Sequence, residues 1–124
     1  MGNTYYRAED IALTQWPELK DLGDGKWERV WEIDFEHVLE DWNKSVVETT
    51  LSEDGFHVSV VQSTPKAVTL RVVTDEWGWA DRFYASTFRM LVELERQLGP
   101  ISFVNGQPKT IWWPWRFPGG KQGY

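Results

Sequence analysis

The order of hydrophobic patterns along the chain predicts an α+β domain. Three observations support this prediction: a long stripe of helical period over residues 81–98, two runs of alternating period at 56–61 and 67–73, and further strand-like runs on either side of them. The chain has 124 residues, of which 41% are hydrophobic and 26% are charged, as in one ordinary globular domain. We expect a single domain over residues 1–118 and a flexible glycine-rich tail over 119–124.

The clearest predicted element is a helix from about Asp81 to Leu98. Its apolar positions recur at helical spacing and form one stripe, which consists of Phe83, Thr87, Met90, Leu91, Leu94 and Leu98. Gly99 and Pro100 predict its end, because glycine adopts the left-handed backbone conformation and proline cannot continue a helix.

Two strand-like runs precede this helix. Phe56 to Val61 and Ala67 to Val73 both alternate between apolar and other residues, and Ser63 to Lys66 between them is typical of a turn. The pattern predicts an antiparallel hairpin with one buried face. We expect its second strand to be central in the sheet.

A second helix is predicted from Asp34 to about Thr49. Asp34 is a candidate N-cap, and an apolar stripe follows it, formed by Phe35, Val38, Leu39, Trp42 and Val46. The preceding run from Lys26 to Ile33 fits the period of a strand or of a helix. The Gly23-Asp24-Gly25 turn in front of this run and the candidate cap behind it favour a strand.

The two ends of the chain add shorter elements. Ile101 to Val104 predicts a strand, and Asn105-Gly106 predicts a type I′ hairpin turn into a strand over Thr110 to Trp113. Ala8 to Trp16 predicts a short helix that stops before Pro17. The resulting order of two βα units around a hairpin matches a ferredoxin-like βαββαβ arrangement, with both main helices on one face of an antiparallel sheet.

Charge and cysteine content exclude several classes of function. Thirteen basic and nineteen acidic residues give a net charge of -6, and the basic residues are scattered singly, so we expect no nucleic-acid partner. No apolar run approaches the roughly 20 residues that span a membrane, and the first residues lack a signal-peptide pattern. With no cysteine there is no disulfide, and we expect a cytoplasmic location and no membrane partner.

The sequence contains no recognised phosphate-binding, nucleophile or metal-binding motif, and we expect no metal and no cofactor. His37 has Asp41 four residues later on the predicted helix, and His57 is predicted to face the open side of the sheet with Ser59 and Arg71. A surface histidine is the ordinary explanation of each. An enzyme that uses His57, Arg71 and a carboxylate is the least favoured hypothesis.

Nine tryptophans are the most unusual feature of the composition. Packing in the core explains those that fall on amphipathic stripes, namely Trp16, Trp27, Trp31 and Trp42. Trp77 and Trp79 lie in the loop before the long helix, and a C-terminal aromatic arm extends from Ile111 to Phe117. Pro114 and Pro118 restrict this arm to an edge strand or an extended path.

Three interpretations of these loop and arm residues stay open. The arm packs over the sheet and closes the core, or the aromatic residues anchor a protein interface, in which Trp and Arg are enriched. In the remaining interpretation a pocket for a flat or cationic ligand is lined by Trp77, Trp79, Trp113 and Trp115. We expect some side chains to close the core, and Trp112 or Trp115 with Arg116 to be presented outward.

Acidic residues cluster between Glu28 and Asp54, which ordinarily indicates only a solvated face but also suits a basic partner. The leading hypothesis is a small acidic cytoplasmic protein that occludes a larger, basic-faced protein, as immunity proteins and phage-encoded inhibitors do. The alternative is a small-molecule-binding or sensor domain with a tryptophan-lined pocket. The predicted binding residues are Trp77, Trp79, Trp112, Trp115, Arg116, Glu36, Glu40 and Asp41.

Overall fold

The structure is a computed structural model that describes residues 17–75 and 80–108, apart from the side chains of residues 80–85. The described residues form an α+β fold with a six-stranded antiparallel sheet and two helices. In chain order the elements are β1 (Lys20–Gly23), β2 (Lys26–Phe35), α1 (Lys44–Leu51), β3 (Phe56–Thr64), β4 (Ala67–Asp75), α2 (Ala80–Leu98), β5 (Ile101–Val104) and β6 (Gln107–Pro108).

Strand β2 lies at the centre of the sheet. The strand order is β3-β4-β2-β5-β6, and β1 pairs with β2 as well. One edge of β2 pairs with β4 along nearly its whole length, while β1 and β5 pair with opposite ends of β2. The predicted hairpin is confirmed: β3 pairs antiparallel with β4, Val58 lies opposite Val72, and β4 lies between β3 and β2.

The strands bury one face of the sheet under both helices. Alternate residues of β2, β3 and β4 are buried, and they are Trp31, Ile33, Phe35, Phe56, Val58, Val60, Val68, Leu70 and Val72. The helices contribute Val47 and Leu51 from α1 and Met90, Leu91 and Leu94 from α2 to the same hydrophobic cluster. We call the opposite face of the sheet the open face.

Helix α2 confirms the long predicted helix. Thr87, Met90, Leu91 and Leu94 are fully buried on its core side. Gly99 has a φ of 118°, and its N–H donates to the carbonyl of Glu95 at 2.9 Å, which ends the helix at the predicted residue. The side chain of Phe83, the first residue of the predicted stripe, lies outside the described residues.

The helix predicted from Asp34 is wrong in its first half. Strand β2 continues through Asp34 to Phe35, because Phe35 completes the period-two burial of the strand. Helix α1 begins only at Lys44, where the Asn43 side chain accepts the Val46 N–H at 3.0 Å as N-cap. The helix buries Val47 and Leu51 rather than Val46.

The chain between β2 and α1 crosses the end of the sheet without helical structure. The Glu36 N–H donates to the Pro100 carbonyl at 2.9 Å, and the Leu39 N–H donates to the Pro65 carbonyl at 2.8 Å. Residues 36–43 join β2 to α1, and their backbone is hydrogen-bonded both to the residue before β5 and to the tip of the β3–β4 hairpin. As a correction of the prediction, Glu36, Glu40 and Asp41 lie on this connection and not on a helix.

The turns near the two ends of the described chain occur where the sequence predicts them. Asn105 and Gly106 both have positive φ, at 49° and 80°, as a type I′ turn requires. Strand β1 was not expected, although the Gly23-Asp24-Gly25 turn that joins it to β2 was. The predicted helix over 8–16, the strand over 110–113 and the tail over 119–124 lie outside the described residues.

None of the helices in the described part of the chain is long and apolar enough to cross a membrane.

Candidate functional site

The aromatic residues predicted to bind a partner cannot be placed on the fold. Trp77, Trp79, Trp112 and Trp115 lie outside the described residues, and so does the neighbouring Arg116. Their assignment to an interface, a pocket or the core therefore stays a prediction. Among the other tryptophans, Trp31 is fully buried, and Trp27 and Trp42 are partly buried.

The acidic residues that were predicted to bind a partner lie near one end of β2. Glu36, Glu40 and Asp41 lie exposed on the connection, which starts where β2 ends. Glu32 and Asp34 alternate with the buried residues of β2, so they lie exposed on the open face beside it. We call these five residues the acidic end. The sequence contains no lysine or arginine between Val30 and Asn43.

The carboxylates of the acidic end take part in no ion pair with the part of the chain that the structure describes. Other carboxylates hold the fold together. Glu28 pairs with Arg71 and Glu53 with Arg89, while the Glu95 carboxylate accepts the Ile101 N–H at 2.8 Å. Within the described residues, no ion pair therefore neutralises the charges of the acidic end, and these charges contribute a negative potential there.

Exposed apolar side chains lie among these carboxylates. Val38 on the connection is 61% exposed, and Phe103 on β5 is 43% exposed. Phe103 lies opposite Asp34 in the β2–β5 pairing, so its ring is on the open face next to a carboxylate of the acidic end. Apolar groups surrounded by charge are typical of protein interfaces, in which a few apolar anchors are enclosed by a polar rim.

The open face brings together the polar residues that the sequence placed there. Ser59 lies opposite Arg71, and His57 lies opposite Val73, in the β3–β4 pairing. Arg71 is bound to Glu28. The His57 side chain has no hydrogen bond to any described residue, so no acid–base pair forms around it there. Across residues 17–75 and 80–108, no group of three or more acidic or histidine residues could hold a metal ion.

The described residues line an open groove at the centre of the sheet and another at its β3 edge. One of about 310 Å³ lies beside β2 between β1 and β5, where Glu18, Lys20 and Glu32 are part of its lining. The other, of about 440 Å³, lies beside the outermost strand β3, and its lining includes Trp42 and Lys44. Trp42 is the one tryptophan among the described residues that line these grooves, and the predicted pocket of several tryptophans stays a prediction, because its residues lie outside the described part of the chain.

The acidic part of the predicted site stays a prediction, and the structure places further carboxylates near it. Glu36, Glu40 and Asp41 were predicted as binding residues, but the structure adds Glu32 and Asp34 to them. The absence of lysine and arginine over residues 31–42 is the signal in the sequence that groups all five. Glu28 belongs to the same stretch of sequence but not to the site, because Arg71 neutralises it.

No protein-family model, curated protein or solved structure matches the chain.

Proposed function

We propose that the protein is a small acidic binding protein that covers the basic face of a larger protein partner. The observation that supports this function is the acidic end, where five exposed carboxylates lack ion pairs within the described chain and flank exposed Val38 and Phe103. Occlusion of a partner by such a surface is the mode of action of an immunity protein or a phage-encoded inhibitor. Binding alone is sufficient for this function, and no catalytic group is needed.

Charge and apolar surface contribute to such binding in different ways. Long-range attraction between a negative patch and a basic face accelerates association, and it weakens as salt is added. Affinity comes mainly from a few anchors that lose contact with water in the complex. In this proposal the acidic end attracts and orients the partner, and Phe103 and Val38 are the anchors within the described residues.

We also propose a ferredoxin-like fold and a cytoplasmic location. The fold is supported by the element order β2-α1-β3-β4-α2-β5 and by the sheet order β3-β4-β2-β5, to which β1 and β6 are additions. The location is supported by the absence of cysteine from a chain of 124 residues.

The test compares two double variants that remove the same charge from different places. Glu36→Gln/Glu40→Gln neutralises part of the acidic end, whereas Asp21→Asn/Asp24→Asn neutralises two exposed carboxylates at the other end of β2. Proteins captured from a lysate of the native host are purified, and the Kd of each is measured by calorimetry at two salt concentrations. We expect at least one of the captured proteins to have a basic surface.

For that partner, we expect the acidic-end variant to raise the Kd at least about tenfold at low salt, a change of about 1.4 kcal/mol. The control variant should leave the Kd within about twofold. An equal Kd for both double variants, or a Kd independent of salt, contradicts the proposal. Thermal melting of each variant verifies that the fold is intact.

A further inference from the structure

Helix α1 lies along the outer edge of β3 and occupies part of it. The Ser52 hydroxyl, at the end of α1, accepts the Val58 N–H at 2.8 Å. One turn earlier in the helix, the Glu48 carboxylate accepts the Val60 N–H at 2.8 Å. These side chains bind the backbone donors that a neighbouring strand would bind, so they close the first half of this sheet edge to other strands.

The second half of the same edge has no neighbouring strand among the described residues. Four helical residues advance by about 6 Å and two strand residues by about 6.6 Å, so Lys44, one turn before Glu48, lies beside the strand segment after Val60. An ammonium group is only a donor and cannot accept a backbone N–H. Residues 61–64 are all exposed, and within the described chain only β4 makes hydrogen bonds with them.

The larger groove lies against this open segment. Its volume is about 440 Å³, and it is lined by Trp42, Lys44, Val60, Val61, Gln62 and Ser63. Val61 is 55% exposed and lies where the β3–β4 register shifts between Val60 and Gln62, so the groove offers apolar surface beside an irregular segment of the strand edge. Lys44 is the one charged residue in the lining, it has no ion pair to a described residue, and no acidic residue lies in the first turn of α1.

We propose that this groove binds the C-terminal segment of a partner protein as an added strand, with the terminal α-carboxylate at Lys44. A strand that runs antiparallel to β3 passes Thr64 first and reaches Val61 last. It cannot continue past Val60, because the Glu48 carboxylate already occupies that N–H. A strand that ends there places its free carboxylate beside Lys44, a cation one helical turn before the Glu48 carboxylate. This site is separate from the acidic end. It recognises a negatively charged terminal carboxylate, whereas the acidic end is proposed to bind a basic surface.

Backbone pairing explains why a short segment is sufficient. In strand addition, main-chain hydrogen bonds supply affinity, and pockets for alternate side chains supply specificity. The open segment spans four residues from Val61 to Thr64, and Trp42 and Val61 supply the apolar contacts.

The probe is a random hexapeptide library with free C-termini, beside the same library with amidated C-termini. Each is incubated with the immobilised full-length protein, and retained peptides are counted by mass spectrometry. We expect the free-carboxylate library to be retained at least about fivefold more than the amidated one. Lys44→Gln should remove this preference, and Val61→Asp should reduce retention of both libraries, because it places a negative charge against the peptide.

Matched controls separate this site from the acidic end. Lys20→Gln removes a lysine from the other groove and should leave retention unchanged. Glu36→Gln/Glu40→Gln, which tests the acidic end, should also leave it unchanged. Equal retention of the two libraries by the folded wild-type protein overturns the proposal, and so does a Lys44→Gln variant that retains the preference.

Discussion

Arg89 of α2 binds the C-terminal end of α1 through all three of its guanidinium nitrogens, and its Nη1 donates to the Thr50 carbonyl at 3.3 Å. Its Nη2 donates to the Leu51 carbonyl at 2.6 Å, and its Nε donates to the Glu53 carboxylate at 3.0 Å. The last carbonyls of a helix have no partner within the helix, so a cation at this position satisfies them and also fits the negative end of the helix dipole. The Arg89 side chain thus links α2 to the C-terminal end of α1.

Replacement of Arg89 should destabilise the fold more than replacement of another paired arginine. We expect Arg89→Met to lower the free energy of unfolding by about 1–2 kcal/mol, because two carbonyls and a carboxylate lose a charged donor. Arg96→Met removes only an exposed pair with Glu93 within the same helix and should cost under about 0.5 kcal/mol. Urea denaturation of the two variants measures the difference, and equal losses would contradict this role of Arg89.

The sequence predicted the elements that are encoded locally. The stripe of α2, the alternation of β3 and β4, and the Asn105-Gly106 turn each depend on neighbouring residues, and each was predicted correctly. The start of α1 was not, because Phe35 fits both the helical stripe and the period of β2. The sheet resolves this ambiguity through contacts far away in sequence, such as the bond from the Phe35 N–H to the Lys66 carbonyl.

The candidate sites show the same limit of sequence information. The acidic residues of the acidic end are visible in the sequence. Which of them lie on one surface depends on which β2 residues face away from the helices. The groove beside β3 could not be predicted, because it depends on contacts of Ser52 and Glu48 with β3. Those contacts follow from where α1 begins, which the sequence left ambiguous.

Two glycines with similar backbone angles should respond differently to alanine. Gly55 and Gly106 have φ of 78° and 80°, so a side chain at either position pays the strain of left-handed backbone. A Cβ at Gly55 would lie 2.9 Å from the Asp75 carboxylate, whereas nothing lies within 4 Å of one at Gly106. We expect Gly106→Ala to cost about 1 kcal/mol and Gly55→Ala clearly more. Thermal and urea unfolding compare the two, and equal costs would show that Asp75 moves aside freely.

Glu93 should contribute stability that is lost in acid. Its pKa is lowered, chiefly because Arg96 donates hydrogen bonds to the carboxylate, against a smaller opposing effect of burial. A carboxyl group with a lowered folded-state pKa stabilises the fold above its unfolded pKa of about 4.3, and this contribution disappears as the pH falls through the folded pKa. The stability difference between wild type and Arg96→Met should therefore shrink between pH 7 and pH 3. A difference that grows as the pH falls contradicts this assignment.

The two valines at the start of α1 distinguish the observed helix from the predicted one. The helix predicted from Asp34 placed Val46 on the apolar stripe, but Val46 is 52% exposed, while Val47 is 2% exposed and belongs to the core. Val47→Ala removes two buried methyl groups and should lower the free energy of unfolding by about 2 kcal/mol. Val46→Ala makes the same chemical change at an exposed position, where alanine also has the higher helix propensity, so its effect should stay within about 0.5 kcal/mol. Urea unfolding of both variants decides between the two helices. A larger loss of unfolding free energy in Val46→Ala than in Val47→Ala would support the helix predicted from Asp34.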